Sequence, residues 1–266
     1  LHTIDRRSLP PAEKAYYALT YYLAQNKSGL DVANDSLIRV AYNYYAKLPK
    51  DSLYARCMYY MGFYYSLNDS LERANYCLKE AQRTAKVQKD TATLCLAMTR
   101  YSWVVRKTHP EAGLEYAKRV LGLYEKYSKR NAFNIVYNTL MVCECENFCG
   151  NPRRAFSLAQ QAEKNALALG DSTVISDVYQ DMAYFAVSLG DKRSTHFALL
   201  SCRYSDTRFV SKRLMLAKAY EKTGNYHECI NLLDTLRLEN NGQRYEAFAM
   251  RHRAAVKLND PAALSY

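Results

Sequence analysis

The chain has 266 residues, 49% hydrophobic and 24% charged, the balance of a folded globular protein, which excludes a disordered chain. Nine Gly and six Pro are too little punctuation for an all-β fold, and no apolar run approaches the roughly 20 residues needed to cross a bilayer. The net charge is +11, but Lys plus Arg stand against Asp plus Glu at 13 to 9 over residues 1–90, 11 to 9 over 91–190 and 13 to 8 over 191–266, with no basic block longer than a pair such as Lys129-Arg130; this is the pattern of solvated helix faces.

The N-terminal stretch Leu1-His2-Thr3-Ile4-Asp5-Arg6-Arg7 lacks the charged-then-apolar order of a signal peptide and has no initiator Met, so it reads as a trimmed start. Helical periodicity then covers Glu13 to Gln25 and Ser36 to Lys47, with Asn34 or Asp35 placed to cap the second helix.

From Ala55 a repeated register begins. Met58, Met61, Gly62 and Tyr65 share one helical face, and Ala74, Leu78 and Ala81 share one face of the next helix. A weaker unit spans Thr91 to Tyr127, where Ser102 or Tyr101 takes the small position and Gly113 stands for Ala. The register returns with Thr139, Val142, Cys143 and Glu146, the turn Gly150-Asn151-Pro152, then Ala155, Ala159 and Ala162. Tyr179, Met182, Ala183 and Ala186 precede Gly190-Asp191, followed by Thr195, Leu199 and Cys202. Arg213, Leu216, Ala217 and Tyr220 precede Gly224-Asn225-Tyr226, followed by Cys229, Leu233 and Leu236. Equivalent positions (Ala74, Gly113, Ala155, Thr195) are spaced by about 40 residues, with about 34 to Cys229. Small residues at fixed positions let two antiparallel helices approach closely, while large neighbours fill the groove beside them.

This pattern of large, Leu-like, small and Tyr, then Ala, large and Ala, resembles the tetratricopeptide repeat. The resemblance implies an all-α, α-α superhelix, a solenoid of about six helical hairpins in a single domain over residues 1–266: an N-terminal helix pair at 1–50, repeats at 51–240 and a C-terminal capping helix at 241–266. Ala15-Tyr16-Tyr17-Ala18-Leu19-Thr20, followed by Asn34-Asp35-Ser36-Leu37-Ile38, also resembles the extracytoplasmic repeat region of sensor and regulator proteins of Bacteroides and relatives. That likeness implies a periplasmic or membrane-anchored setting and a role in signalling, with a cytoplasmic setting as the alternative.

No glycine-rich phosphate loop, His-Glu-x-x-His motif or Gly-x-Ser-x-Gly elbow occurs, and His2, His109, His196, His227 and His252 are isolated. The sequence therefore points to a protein with no catalytic residues, no metal and no cofactor. Cys143, Cys145 and Cys149 crowd one helix, but zinc sites pair their cysteines on turns, so the eight cysteines read as reduced packing thiols. A disulfide or redox pair is the alternative.

Tyrosine occurs 25 times, with adjacent pairs at Tyr16-Tyr17, Tyr21-Tyr22, Tyr44-Tyr45, Tyr59-Tyr60 and Tyr64-Tyr65. Successive helical residues point about 100° apart, so one member of each pair faces away from the surface its neighbour packs on. The resemblance implies that the first helix of each hairpin lines a concave groove. The positions one after the large residue, and four further on, then select Tyr59 and Phe63, Leu140 and Glu144, Gln180 and Tyr184, and Leu214 and Lys218, with Trp103 and Arg106 in the weaker unit. An aromatic and mixed-polar groove suits a protein or peptide partner; the alternative is a nucleic-acid or polyanion binder using the positive surplus.

Overall fold

The structure, a computed structural model, describes residues 8–27, 34–68, 70–127, 131–205, 209–238 and 240–260. The Leu1–Arg7 stretch with His2, the pair Lys129-Arg130 and the last six residues of the expected 241–266 cap lie outside them. The described residues form thirteen helices and no strand. They run α1 (Pro11–Lys27), α2 (Ser36–Tyr45), α3 (Ser52–Leu67), α4 (Leu71–Val87), α5 (Thr91–Val105), α6 (Pro110–Tyr127), α7 (Ala132–Phe148), α8 (Pro152–Leu169), α9 (Ser172–Ser188), α10 (Ser194–Tyr204), α11 (Val210–Thr223), α12 (Tyr226–Asp234) and α13 (Asn241–Lys257). The chain divides into two compact units, Leu1–Tyr124 and Glu125–Tyr266.

The expected hairpins are present, and their turns share one closure. The N–H of Ser70 donates to the Tyr65 carbonyl at 3.0 Å, that of Asn151 to Glu146 at 2.9 Å, that of Asp191 to Ala186 at 2.9 Å and that of Asn225 to Tyr220 at 2.9 Å. The four acceptors are the last register positions of the four clear repeats, so the sequence repeat is also a repeat in backbone geometry. Three of these turns reverse through glycine at positive φ, Gly150 (+81°), Gly190 (+66°) and Gly224 (+86°), where a side chain is disfavoured.

Close approach at the small positions is direct. A Cβ on Gly62 would fall 2.7 Å from Leu78 Cγ, and one on Gly113 would fall 3.0 Å from Arg106 Cα. Glycine replaces alanine at 113 because the end of α5 leaves no room for a methyl group. Ser102 at the facing small position donates its hydroxyl to the Gly113 carbonyl at 2.7 Å. In the second unit Ser176 and Ser201 exchange hydroxyl-to-carbonyl hydrogen bonds at 2.7 and 2.8 Å, tying α9 to α10.

One local reading is corrected, and the cap of α2 is resolved in detail. In α10 the buried face is Ser194, Phe197, Ala198 and Ser201, while Leu199 is 46% exposed. The register is one residue earlier than the Thr195, Leu199 and Cys202 reading, because the helix begins directly after Arg193. At the start of α2, Asp35 occupies the cap position but its carboxylate is taken by Arg39 at 2.6 Å, and Asn34 Oδ1 accepts the Ser36 N–H at 3.0 Å.

Within each unit the odd-numbered helices also pack along one another: α3 on α5 in the first, and α7 on α9, α9 on α11 and α11 on α13 in the second. No two even-numbered helices do so to the same extent among the described residues. The helices α3 and α5 in the first unit, and α7, α9, α11 and α13 in the second, therefore form a wall within each unit, and the register positions selected above lie on these helices or, for Arg106, at the C-cap of α5.

Candidate functional site

In the amino-terminal unit, Phe63 on α3 and Trp103 on α5 are partly buried and converge on Arg100. The guanidinium lies 4.0 Å from the Phe63 ring centroid and 4.7 Å from that of Trp103. Arg106 lies 4.4 Å from the same Trp103 ring and donates to the Trp103 carbonyl. Burial foremost holds Arg100 down to a pKa of about 10; the Arg106 charge adds to this and Tyr59 opposes it.

The register places Tyr59 differently. It is 7% exposed and packs edge-on against Tyr60 at 4.8 Å and against Phe63 at 6.3 Å, so it supports the face from beneath. Both members of the Tyr59-Tyr60 pair are buried, and the Tyr60 ring meets Tyr22 of α1 edge-on at 5.5 Å. Arg106, the C-cap of α5, is 8% exposed.

In the second unit the wall presents Glu144 on α7, Gln180 and Tyr184 on α9 and Lys218 on α11, all partly buried. Lys218 Nζ lies 5.6 Å from the Tyr184 ring centroid and 3.8 Å from Glu246 on α13, so Tyr184, Lys218 and Glu246 form one patch. Leu140 and Leu214 are sunk into hydrophobic cores at 5% and 4% exposure. The reason is the same for both: an apolar side chain at this register is drawn into the seam between adjacent odd helices.

Sequence reasoning missed two features. Arg100 follows Met98 by two residues, and fixing Ser102 rather than Tyr101 as the small position would have aligned Met98 and Ser102 with Met58 and Gly62. Trp103 then matches Phe63, with Arg100 one turn before it. The second feature is Asp177 on α9, which accepts the Tyr137 hydroxyl at 2.6 Å from α7 and pairs with buried Lys212 on α11. It joins three consecutive odd helices and holds the wall in place.

All eight cysteines are free thiols, six of them buried. Burial raises Cys57 to about 12 and Cys77 to about 11; burial, with Glu221 nearby, raises Cys229 to about 11, far from nucleophilic thiolates. His109, His196 and His227 are exposed. Among the described residues no group of three or more His, Cys, Asp or Glu is placed to hold a metal, and no helix is long and apolar enough to cross a membrane.

No protein-family model matches the sequence, and no curated protein matches it. Solved structures do match in fold. A Rap protein complexed with competence and sporulation factor has a TM-score of 0.68 at 16% identity, over 94% of this chain and 67% of that one. NprR in complex with its cognate peptide NprX has 0.66 at 15% identity, over 94% and 76%. A signal transduction ATPase with a tetratricopeptide repeat sensor from Pyrococcus horikoshii has 0.67 at 16% identity, over 96% of this chain and 41% of that one, so this chain spans about two fifths of its length. The chain therefore shares its fold with tetratricopeptide-repeat proteins, as an all-α array of helical hairpins.

Proposed function

We propose that the chain is a non-catalytic scaffold that captures an extended peptide on a wall of odd-numbered helices within one of its units. The observation that supports this reading is that Phe63, Arg100 and Trp103 on α3 and α5 of one unit, and Gln180, Tyr184 and Lys218 on α9 and α11 of the other, each keep part of the side chain open to solvent. Rigid aromatic rings beside polar groups give large contact area at low entropic cost. The fold likeness to NprR, which is solved with a cognate peptide, supports the same reading. The sequence likeness of Ala15–Thr20 and Asn34–Ile38 to bacterial sensor proteins supports a place for this chain as the sensing or assembly region of a larger, membrane-associated bacterial protein. The test is selection from a library of random seven-residue peptides, followed by titration of the winners. Trp103→Ala and Tyr184→Ala are expected to weaken binding at least tenfold while each variant retains its helical circular dichroism; failure to select any saturable binder contradicts the reading.

A second reading, polyanion binding, has one observation in its favour. A pocket of about 580 Å³ on the amino-terminal unit is lined by Lys79, Arg83, Lys86 and Arg119 with no acidic side chain. Heparin binding that collapses between low and moderate salt, and is lost in Lys79→Ala with Lys86→Ala, would favour it over peptide capture.

A further inference from the structure

We propose that Arg100 is the centre of a carboxylate-binding subsite, which takes an acidic group of the captured peptide. The inference rests on the peptide-capture reading above and names the chemistry that the amino-terminal unit selects.

Phe63 and Trp103 approach the Arg100 guanidinium at 4.0 and 4.7 Å, one ring from α3 and one from α5. Rings in such contacts engage the guanidinium through the ring face, and supply no acceptor for N–H donors that project in the guanidinium plane. One of those donors, Nε, is shielded from solvent and has no hydrogen-bond partner among the described residues. No carboxylate contributes to the electrostatics of Arg100, whose charged neighbour is a second cation, Arg106, over the same indole. A further donor in this unit is in the same condition, since the Tyr22 hydroxyl is buried without a partner while its ring packs edge-on against Tyr60 at 5.5 Å.

A desolvated cation normally carries a paired anion, because burial without one is strongly unfavourable. Here the cation is fixed in orientation by two rings, keeps an exposed portion, and lacks that anion. A planar, doubly accepting group suits such a guanidinium: a carboxylate accepts two parallel N–H bonds from it, and a weakly hydrated guanidinium is suited to a partly buried pair. Arg106 adds positive potential at the same spot.

Trp103 is the single tryptophan of the chain, so its fluorescence reports the subsite directly. Peptides selected from the random seven-residue library are titrated against the intact protein. Each is then resynthesised with its acidic side chains as amides, or with an amidated C-terminus. One of these neutralisations is expected to lower affinity at least tenfold and to abolish the Trp103 response; which one does so identifies a side-chain or a terminal carboxylate. Arg100→Gln should lower affinity for the parent peptide by the same factor and bind parent and neutral analogue equally. Arg100→Lys keeps the charge and tests the planar fork, with an expected intermediate loss. Selected peptides that bind tightly but lack carboxylates, or that bind unchanged when neutralised, would overturn the subsite and leave peptide capture standing. A library yielding no binder at all would overturn both.

Discussion

Tyr137 on α7 donates its hydroxyl to Asp177 on α9 at 2.6 Å, and the other oxygen of that carboxylate receives Lys212 from α11. Lys212 is buried, so the carboxylate compensates a charge that would otherwise stand alone between helices. Removing one partner of such a pair costs about 3 kcal/mol or more, because the remaining ion is left without compensation. Asp177→Ala is therefore expected to destabilise the second unit by that order, and Asp177→Ala with Lys212→Met to recover most of the loss. Urea denaturation of the three proteins checks this; equal losses in the single and double variants would show that the pair is not coupled.

Gly62 is required by the approach of Leu78. A methyl group at 62 meets Leu78 Cγ at 2.7 Å, inside van der Waals contact. Gly62→Ala is expected to cost ~1–3 kcal/mol by overpacking, against the usual gain of Ala over Gly in a helix. Leu78→Ala opens space at the same point, so the double variant should lose less than the sum of its parts. Thermal melts followed by circular dichroism give the comparison.

Glu80 on α4 binds Arg83 at 2.8 Å and Lys50, ahead of α3, at 2.6 Å. The Arg83 hydrogen bond first, and then Lys50, hold its pKa down to about 2. An unfolded glutamate titrates near ~4.3, so the folded value is depressed and the stabilisation is fully present above that value. It is lost as the pH falls from about 5 towards 2. Stability measured at pH 5 and pH 3 should drop less in Glu80→Gln than in the parent protein; identical drops would contradict this role.

Tyr59 and Tyr184 both belong to the register set, Tyr59 at its first position and Tyr184 at its second, and they occupy different environments. Tyr59 is buried among rings, and truncation there is expected to cost ~3 kcal/mol by cavity formation. Tyr184 is partly exposed beneath Lys218, and Tyr184→Ala should cost ~1 kcal/mol or less while weakening peptide binding.

The hairpins were legible from the sequence because each small residue and each turn obeys a local rule. Gly150, Gly190 and Gly224 announce left-handed turns, and Ala74, Ala155 and Ala159 mark crossings that only small side chains permit. Where the rule is diluted, reading fails. In α10 three polar residues precede Phe197, so periodicity alone does not place the helix start. The wall was legible in register but not in depth: Leu140, Leu214 and Tyr59 share the register of Gln180, yet burial depends on the neighbouring helix. Arg100 was missed because an isolated arginine carries no sequence sign of the two rings, one 37 residues away, that hold it.

Recognition along the odd-helix wall is tested most directly by hydrogen–deuterium exchange with a library-selected peptide at saturation. Protection is expected in the odd-numbered helices of the unit that holds the peptide, α3 and α5 around Phe63 and Trp103 or α9 and α11 around Tyr184 and Lys218, with little change in α4, α8, α10 and α12. Protection confined to the even-numbered helices would contradict the account.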